Sequence, residues 1–199
     1  MIAQITKYDD FLFEKQKLSK VYKSEKLFPY NVFCNEFKYI IAFEFDWHVG
    51  KEFYDGMVRF IKNINQRNFT FYILNPSAED YYKEFGVYGL GVISTNNTYR
   101  EFIDFLSKPL SNNEEESKGE DIELASNDIA YFSDNSEWCI YGARDWEIAI
   151  VAFQNEEIGN VFLDSYGKDK DIFCSLSERI EELDEMIKSS SEMIESEKN

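Results

Sequence analysis

The stretch FKYIIAFEFDW at residues 37–47 and the stretch FTFYILN at residues 69–75 decide how this chain folds. Both are short runs of aromatic and branched aliphatic residues. Such runs predict buried β-strands, and we expect the first to be central in its sheet. Between them, residues 51–65 carry apolar side chains at helical spacing and predict a helix. The rest of the chain is added to this framework.

Segments on either side continue the alternation of strands and helices. Residues 6–22 predict an amphipathic helix, and residues 90–94 predict a third strand. Short helices are expected at residues 76–85 and 98–107, opened by a proline and by a threonine N-cap. Because strands and helices alternate through this part, we expect a sheet that is at least partly parallel, with crossover helices.

The second half of the chain predicts a β-hairpin. Strands are expected at residues 128–132, 137–141 and 146–153, and the last two are joined by a turn at residues 142–145. The segment EIAIVAF in the last strand is almost wholly apolar, so we expect it to be buried on both faces of the sheet. Residues 161–163 are expected to add a further short strand.

An amphipathic helix is expected to close the chain. Ser175 and Glu178 predict a capping box. Apolar residues then follow at helical spacing: Leu176, Ile180, Leu183 and Ile187. Residues 109–120 predict a flexible acidic loop, and residues 189–199 predict a frayed tail. We treat residues 1–199 as a single domain, because the length is typical of one.

These elements together predict an α+β or α/β fold. We expect a mixed β-sheet of about five to seven strands with helices on at least one face. The acidic C-terminal helix should pack alongside that sheet.

Charge is divided unequally along the chain. Residues 1–111 hold 14 acidic and 14 basic residues, whereas residues 112–199 hold 24 acidic and 7 basic ones. The net charge of −17 therefore comes from the second part. An acidic surface repels nucleic acid and anionic lipid, and it attracts basic proteins. We therefore expect a basic protein partner and no nucleic acid.

Several other classes of protein are disfavoured by the sequence. No run of about 18 uncharged apolar residues occurs, and the first residues lack the apolar core of a secretion signal. We therefore expect a cytoplasmic protein with no membrane contact. Cys34, Cys139 and Cys174 are far apart and form no C-x-x-C pair, so we expect free thiols, no metal site and no cofactor.

One enzyme hypothesis stays open. His48, the only histidine, follows a predicted strand, and active sites of α/β enzymes lie at strand ends. Paired with Asp46 or Glu44, it could transfer protons, and this predicts a deep pocket and a shifted His48 pKa. No G-x-S-x-G motif and no cysteine in a nucleophile context accompany it, so our leading prediction is a protein without catalytic residues.

The hairpin and the last helix are the predicted binding site. Trp, Tyr and Arg dominate the energetics of protein interfaces, and all three occur at this hairpin. The predicted contact residues there are Trp138, Tyr141, Arg144, Asp145, Trp146 and Glu147. On the last helix they are Glu181, Glu182, Asp184 and Glu185. In the alternative reading, the tryptophans of the hairpin fill the core and Arg144 forms a surface ion pair.

A resemblance points to the kind of partner. Residues 138–150 have the pattern W-x-I-x-G-x-R-x-x-E-I-A-I, which resembles a segment of small bacterial proteins encoded beside toxins. These include immunity proteins of polymorphic and contact-dependent toxin systems. The resemblance implies a cytoplasmic, non-catalytic protein that binds and neutralises a toxin domain. Many such domains are nucleases, whose basic surfaces an acidic inhibitor can occupy.

The leading hypothesis is therefore a protein-binding inhibitor of a basic, nuclease-like toxin domain. Two alternatives come from other classes. One is a small enzyme that uses His48. The other is an acidic nucleic-acid mimic or regulatory module, whose carboxylates would stand about 6–7 Å apart, as consecutive phosphates of one strand do. The partner's identity and the oligomeric state stay open.

Overall fold

The structure, a computed structural model, describes residues 1–23, 26–28, 30–34, 37–108 and 121–185. Its strands in chain order are β1 (Tyr39–Glu44), β2 (Asn68–Asn75), β3 (Leu90–Ser94), β4 (Asp128–Phe132), β5 (Trp138–Ala143), β6 (Ile148–Phe153) and β7 (Cys174–Ser175). They form one 7-stranded sheet in the order β3-β2-β4-β5-β6-β1-β7, antiparallel at every junction. The predicted loop at 109–120 and the predicted tail at 189–199 lie outside the described residues.

Helices connect and cover these strands. The α-helices are α1 (Tyr8–Val21), α2 (Lys51–Asn63), α3 (Ala78–Phe85), α4 (Tyr99–Leu106) and α5 (Glu156–Tyr166). Shorter 3-10 helices span Phe45–Val49, Arg144–Trp146 and Gly167–Ile172. Residues 176–185 are helical and are called the C-terminal helix below. Within the described ranges, no helix combines the length and apolarity that a membrane crossing requires.

The predicted α+β class is confirmed, whereas the partly parallel sheet is wrong. A helix between two strands does not oblige them to be neighbours: α2 leaves β1 near one edge of the sheet and returns the chain to β2 near the other. The first strand is therefore not central, and β5 holds the middle position. The strand predicted at 161–163 is also wrong. Those residues lie in α5, which begins where the Asn155 side chain accepts a hydrogen bond from the amide of Ile158 at 3.0 Å.

Two apolar layers sandwich the sheet, because alternate residues of each strand point to opposite faces. One face packs against α2, α4 and α5 and contains Phe71, Tyr131 and Val151 among its buried residues. The other packs against α1 and the C-terminal helix and contains Phe132 and Ile150. The helices therefore cover both faces of the sheet.

The hairpin strands lie deepest in this arrangement. All residues of β5 and of β6 are buried, which confirms the prediction for residues 148–153, whereas Glu147 at the start of EIAIVAF is exposed. Gly142 stands in β5 where a β-carbon would come within 2.9 Å of both Ile129 and Phe45. A side chain there would force the layers apart, so the glycine is required by packing and not by a turn.

Short segments cover part of each edge of the sheet. At the β3 edge, Gln4 forms a bridge with Gly91, and the amide of Ile5 donates to the Leu90 carbonyl at 3.2 Å. At the β1 edge, β7 pairs with Ile41 and Ala42 only. These segments therefore shorten the stretch of backbone that each edge offers to another strand.

The C-terminal helix begins as predicted. The amide of Ser175 donates to the Glu178 carboxylate at 2.7 Å, and the amide of Glu178 donates to the Ser175 hydroxyl at 3.2 Å. Leu176 and Leu183 pack against the sheet, whereas Ile180 is exposed. The capping box is therefore confirmed, and the fold places an acidic helix beside the end of the hairpin.

Candidate functional site

The turn of the β5–β6 hairpin is the exposed end of an otherwise buried unit. Ala143 pairs with Ile148, and the four residues between them form the turn. Three of these residues are in a 3-10 helix, and the fourth, Glu147, has the left-handed backbone angle φ +49 that closes it. Asp145, Trp146 and Glu147 are all exposed. The turn therefore presents two carboxylates and one indole to solvent.

Arg144 fixes this turn and is not a free cation. Its Nε donates to the carbonyl of Ser126 at 3.1 Å, and its Nη2 donates to the carbonyl of Glu123 at 2.7 Å. The guanidinium also lies over the ring of Phe45, 5.0 Å from its centre. No ion pair among the described residues involves Arg144. The surface ion pair that the sequence suggested as an alternative for Arg144 is therefore not formed there.

Trp146 is the most accessible tryptophan of the hairpin. Its side chain is 44% exposed, and its ring meets Phe28 edge to face at 5.3 Å. That contact orients the indole, and part of its surface remains accessible to solvent. A large, partly fixed aromatic side chain beside carboxylates is typical of an interface anchor.

Trp138 and Tyr141 cannot belong to a contact surface, so their inclusion in the predicted site is wrong. Both are fully buried. Trp138 packs edge to face on Phe60 at 5.4 Å. The Tyr141 hydroxyl donates to the carboxylate of Asp128 and accepts from the amide of Phe28 at 3.0 Å. Their strand positions place them in the two apolar layers. The alternative, in which the tryptophans of the hairpin fill the core, therefore holds for Trp138 and not for Trp146.

Arg179 joins the C-terminal helix to the hairpin turn. Its Nη2 donates to the carbonyl of Glu147 at 2.9 Å, and its Nη1 lies 3.1 Å from the carboxylate of Glu182. Of the predicted acids on this helix, the structure thus brings Glu182 to the turn. The other three are exposed on the same helix: Glu181, Asp184 and Glu185.

Two depressions lie beside this junction and share Glu44. The edge groove, about 230 Å³, is lined by Phe43, Glu44, Trp47, Asp171, Ile172, Cys174, Arg179 and Glu182. The turn groove, about 190 Å³, is lined by Glu44, Phe45, Asp46, Arg144 and Glu147. Both are smaller than the roughly 300–1,000 Å³ of sites for small molecules. Their size suits single side chains of a partner.

Most carboxylates around the two grooves have no cationic partner. Among the described residues, no ion pair involves Glu44, Asp46, Glu147 or Asp171, and Asp145 beside them is equally unpaired. Both arginines direct hydrogen bonds at main-chain carbonyls. The surface therefore keeps an excess of negative charge.

Glu123 reports on the same charge excess. Burial raises the pKa of its carboxyl, and the neighbouring carboxylates of Asp121 and Asp46 raise that pKa further, against the lowering effect of Arg144. Protonation is thus favoured where acids crowd together. Asp121 and Asp46 thus add to a shift whose main cause is burial.

His48 is a buried residue and lines neither groove. Its Nδ1 donates to the carbonyl of Phe45 at 2.6 Å, and its ring packs on that of Phe45 at 4.6 Å. Burial lowers the pKa of His48 to about 4, and the cation of Arg144 contributes in the same direction. The shift expected of a catalytic histidine is present, but its main cause is loss of solvation. That the protein lacks catalytic residues stays a prediction.

Several residues of this site were not singled out from the sequence. Trp47, Asp171, Ile172 and Arg179 come from three separate segments that only the fold brings together. One signal was available: Arg179 is a lone cation in a strongly acidic helix. Within the described ranges, no group of three or more His, Cys, Asp or Glu residues is arranged to hold a metal ion.

Comparisons with known proteins give no relative for this chain. No protein-family model matches it, and neither the curated proteins nor the solved structures contain a match. The resemblance of residues 138–150 to immunity proteins therefore stays a prediction. The site must be judged on its own geometry and charge.

Proposed function

We propose that this protein is a non-catalytic inhibitor that binds a basic protein through the turn of the β5–β6 hairpin and the acidic surface beside it. The observation that carries this proposal is the set of unpaired carboxylates around two side-chain-sized grooves. A carboxylate that forms no ion pair with the described residues can bind a partner's cation without first releasing one of those residues. Trp146 stands at their margin as the aromatic anchor.

Charge and anchor have different tasks in such a complex. A one-sided acidic field speeds the encounter with a basic surface and is screened by salt over about 8 Å at physiological ionic strength. A partly buried tryptophan slows dissociation, because its apolar area leaves water on binding. Together they would give rapid capture followed by slow release, as an inhibitor requires.

An immunity protein for a toxin domain is the biological role we favour. A nuclease domain needs a basic surface to hold phosphate, and the acidic surface beside the hairpin is complementary to it. The resemblance of residues 138–150 agrees with this role. The nucleic-acid mimic stays an alternative, and a partner that also binds DNA at the same surface would favour it.

Affinity capture with a matched charge control tests the proposal. The tagged protein is compared with the variant Asp145→Lys/Glu147→Lys at low and at high salt. The control is Glu84→Lys/Asp164→Lys, which changes net charge equally at two exposed acids in the last turns of α3 and α5, where lysine suits the helix dipole.

We expect one basic protein to be retained by the wild type and the control, and lost from the hairpin variant or at high salt. That protein should inhibit growth when it is expressed alone, and co-expression of the wild type should restore growth. If the hairpin variant retains the same partner as firmly as the control does, the proposed surface is wrong.

A further inference from the structure

The edge groove has a shape and lining that select one kind of side chain. Phe43, Trp47 and Ile172 form its apolar wall. Trp47 is held by edge-to-face contacts with Phe43 at 5.7 Å and with Phe173 at 5.4 Å. The indole is therefore a fixed surface, so binding against it costs little ordering of the protein.

Acids surround this wall from three different segments. Glu44 ends β1, Asp171 lies in the 3-10 helix Gly167–Ile172, and Glu182 lies in the C-terminal helix. All three are exposed. Among the described residues, Arg179 is the one cation that lines the groove. Its guanidinium is already engaged with Glu182 and with the carbonyl of Glu147. Glu44 and Asp171 line the same groove, and no ion pair within the described part of the chain involves either of them.

We infer that the edge groove receives an arginine side chain of the protein partner, an inference that rests on the proposed function. The methylene stem would lie on Ile172 and Trp47, and the guanidinium would reach the carboxylates of Glu44 and Asp171. Arginine fits better than lysine, because its planar, weakly hydrated guanidinium stacks on indole and donates two parallel hydrogen bonds to a carboxylate.

The grooves also explain why a single side chain is the unit of recognition. A volume of about 230 Å³ is too small for a folded element of a partner and is suited to one long side chain. The turn groove shares Glu44 and adds Asp46 and Glu147. Glu44 is thus the carboxylate that the two depressions share.

The test uses the full chain and a defined probe. N-acetyl-arginine methylamide is titrated into the ¹⁵N-labelled protein, and the three tryptophan indole signals are followed. Those of Trp47, Trp146 and Trp138 are assigned with Trp→Phe variants. The citrulline analogue, which has nearly the same shape without the charge, is the matched probe, and the lysine analogue tests the choice of cation.

We expect the Trp47 signal to shift with an affinity on the order of 1 mM, the signal of buried Trp138 to stay fixed, and the citrulline analogue to have no effect. Glu44→Gln and Asp171→Asn should each weaken binding about fivefold, the upper range for an exposed ion pair. Glu84→Gln should leave binding unchanged. Asp171 lies in an exposed 3-10 helix, so its variant keeps the test valid if Glu44→Gln disturbs the fold.

Equal binding of the citrulline analogue, tighter binding of the lysine analogue, or an unaltered titration of both variants would overturn the inference. These results are separate from the capture experiment. If the arginine probe fails while the hairpin variant still loses its partner, only the groove assignment falls. If the probe binds and no basic partner is captured, the groove stands and the proposed function falls.

Discussion

The strands of the β5–β6 hairpin and the turn between them differ in solvent exposure. All six residues of each strand are buried, whereas none of the four turn residues is. Trp138 and Trp146 show the contrast most directly, because the first is fully buried and the second is 44% exposed. A sequence pattern across residues 138–150 therefore describes mainly how the hairpin is built. The binding that we propose for the hairpin depends on the three exposed positions of the turn.

The largest effect is expected in the strands. Replacing Trp138 by alanine should lower the free energy of unfolding by about 3–5 kcal/mol, because it leaves a cavity between β5 and α2 that the packed layers cannot close. Urea unfolding measures this loss. Trp138→Phe is the milder control. A loss below 1 kcal/mol for the alanine variant would mean that the core around β5 adjusts to the missing indole, contrary to our expectation.

Beneath the turn, His48 should make stability depend on pH. Burial lowers the pKa of His48 from 6.5 to about 4. Between pH 6.5 and pH 4, His48 is therefore mostly protonated in the unfolded chain and mostly neutral in the folded one. Stability should therefore fall as pH falls through this window, by about 3 kcal/mol in total, with no further loss from this residue below pH 4.

The comparison that isolates this effect is the wild type against His48→Gln, with unfolding free energies measured from pH 7 to pH 4. Arg144, Asp46 and Glu123 remain in both chains, so their contributions largely cancel in the difference. A difference that stays constant with pH would show that His48 is solvated in the folded protein.

At the junction of strand and turn, Arg144 should have a moderate effect. Arg144→Met keeps the stem but removes two donors to main-chain carbonyls, and we expect a loss of about 1–2 kcal/mol. Arg144→Lys retains the charge but lacks the two guanidinium donors that bind the carbonyls of Ser126 and Glu123. If lysine restores full stability, the charge over Phe45 matters and the hydrogen-bond geometry does not. Thermal or urea unfolding of both variants decides between them.

At the tip, Trp146 should have the smallest effect on stability and a clear effect on binding. Trp146→Ala should lower the free energy of unfolding by about 1 kcal/mol or less, because the residue is 44% exposed and its replacement leaves no closed cavity in the core. The same substitution should weaken the binding free energy for the captured partner by about 2 kcal/mol or more. Calorimetry with that partner measures it. Loss of stability without loss of affinity would reverse the roles assigned to strands and turn.

The sequence predicted the elements of the fold better than their arrangement. Strands β3 and β4 have the predicted bounds, and the capping box at Ser175 is formed, because these features depend on local residue types. The partly parallel sheet was wrong, since strand neighbours are chosen by packing across the whole chain. The turn was also displaced by two residues. Gly142 was read as a turn residue, although it is a glycine because Phe45 and Ile129 leave no room for a side chain.

The candidate site was predictable in part for the same reason. Asp145, Trp146 and Glu147 could be identified because a polar turn between apolar strands must face solvent. Trp138 and Tyr141 were misassigned, because residue type alone does not distinguish a core aromatic from an interface aromatic. The edge groove could not be predicted from the sequence, because its walls come from segments more than 100 residues apart in the chain.

The partial covers at the two edges of the sheet bear on how the protein behaves at high concentration. An open strand edge is a template for cross-β growth, and a sheet rich in aromatic and branched residues is well suited to such growth. Here Gln4 and Ile5 protect β3, and the two residues of β7 protect β1. These few hydrogen bonds block part of each edge, and we expect proteolytic loss of residues 1–5 to expose more of β3 and to raise the rate of aggregation.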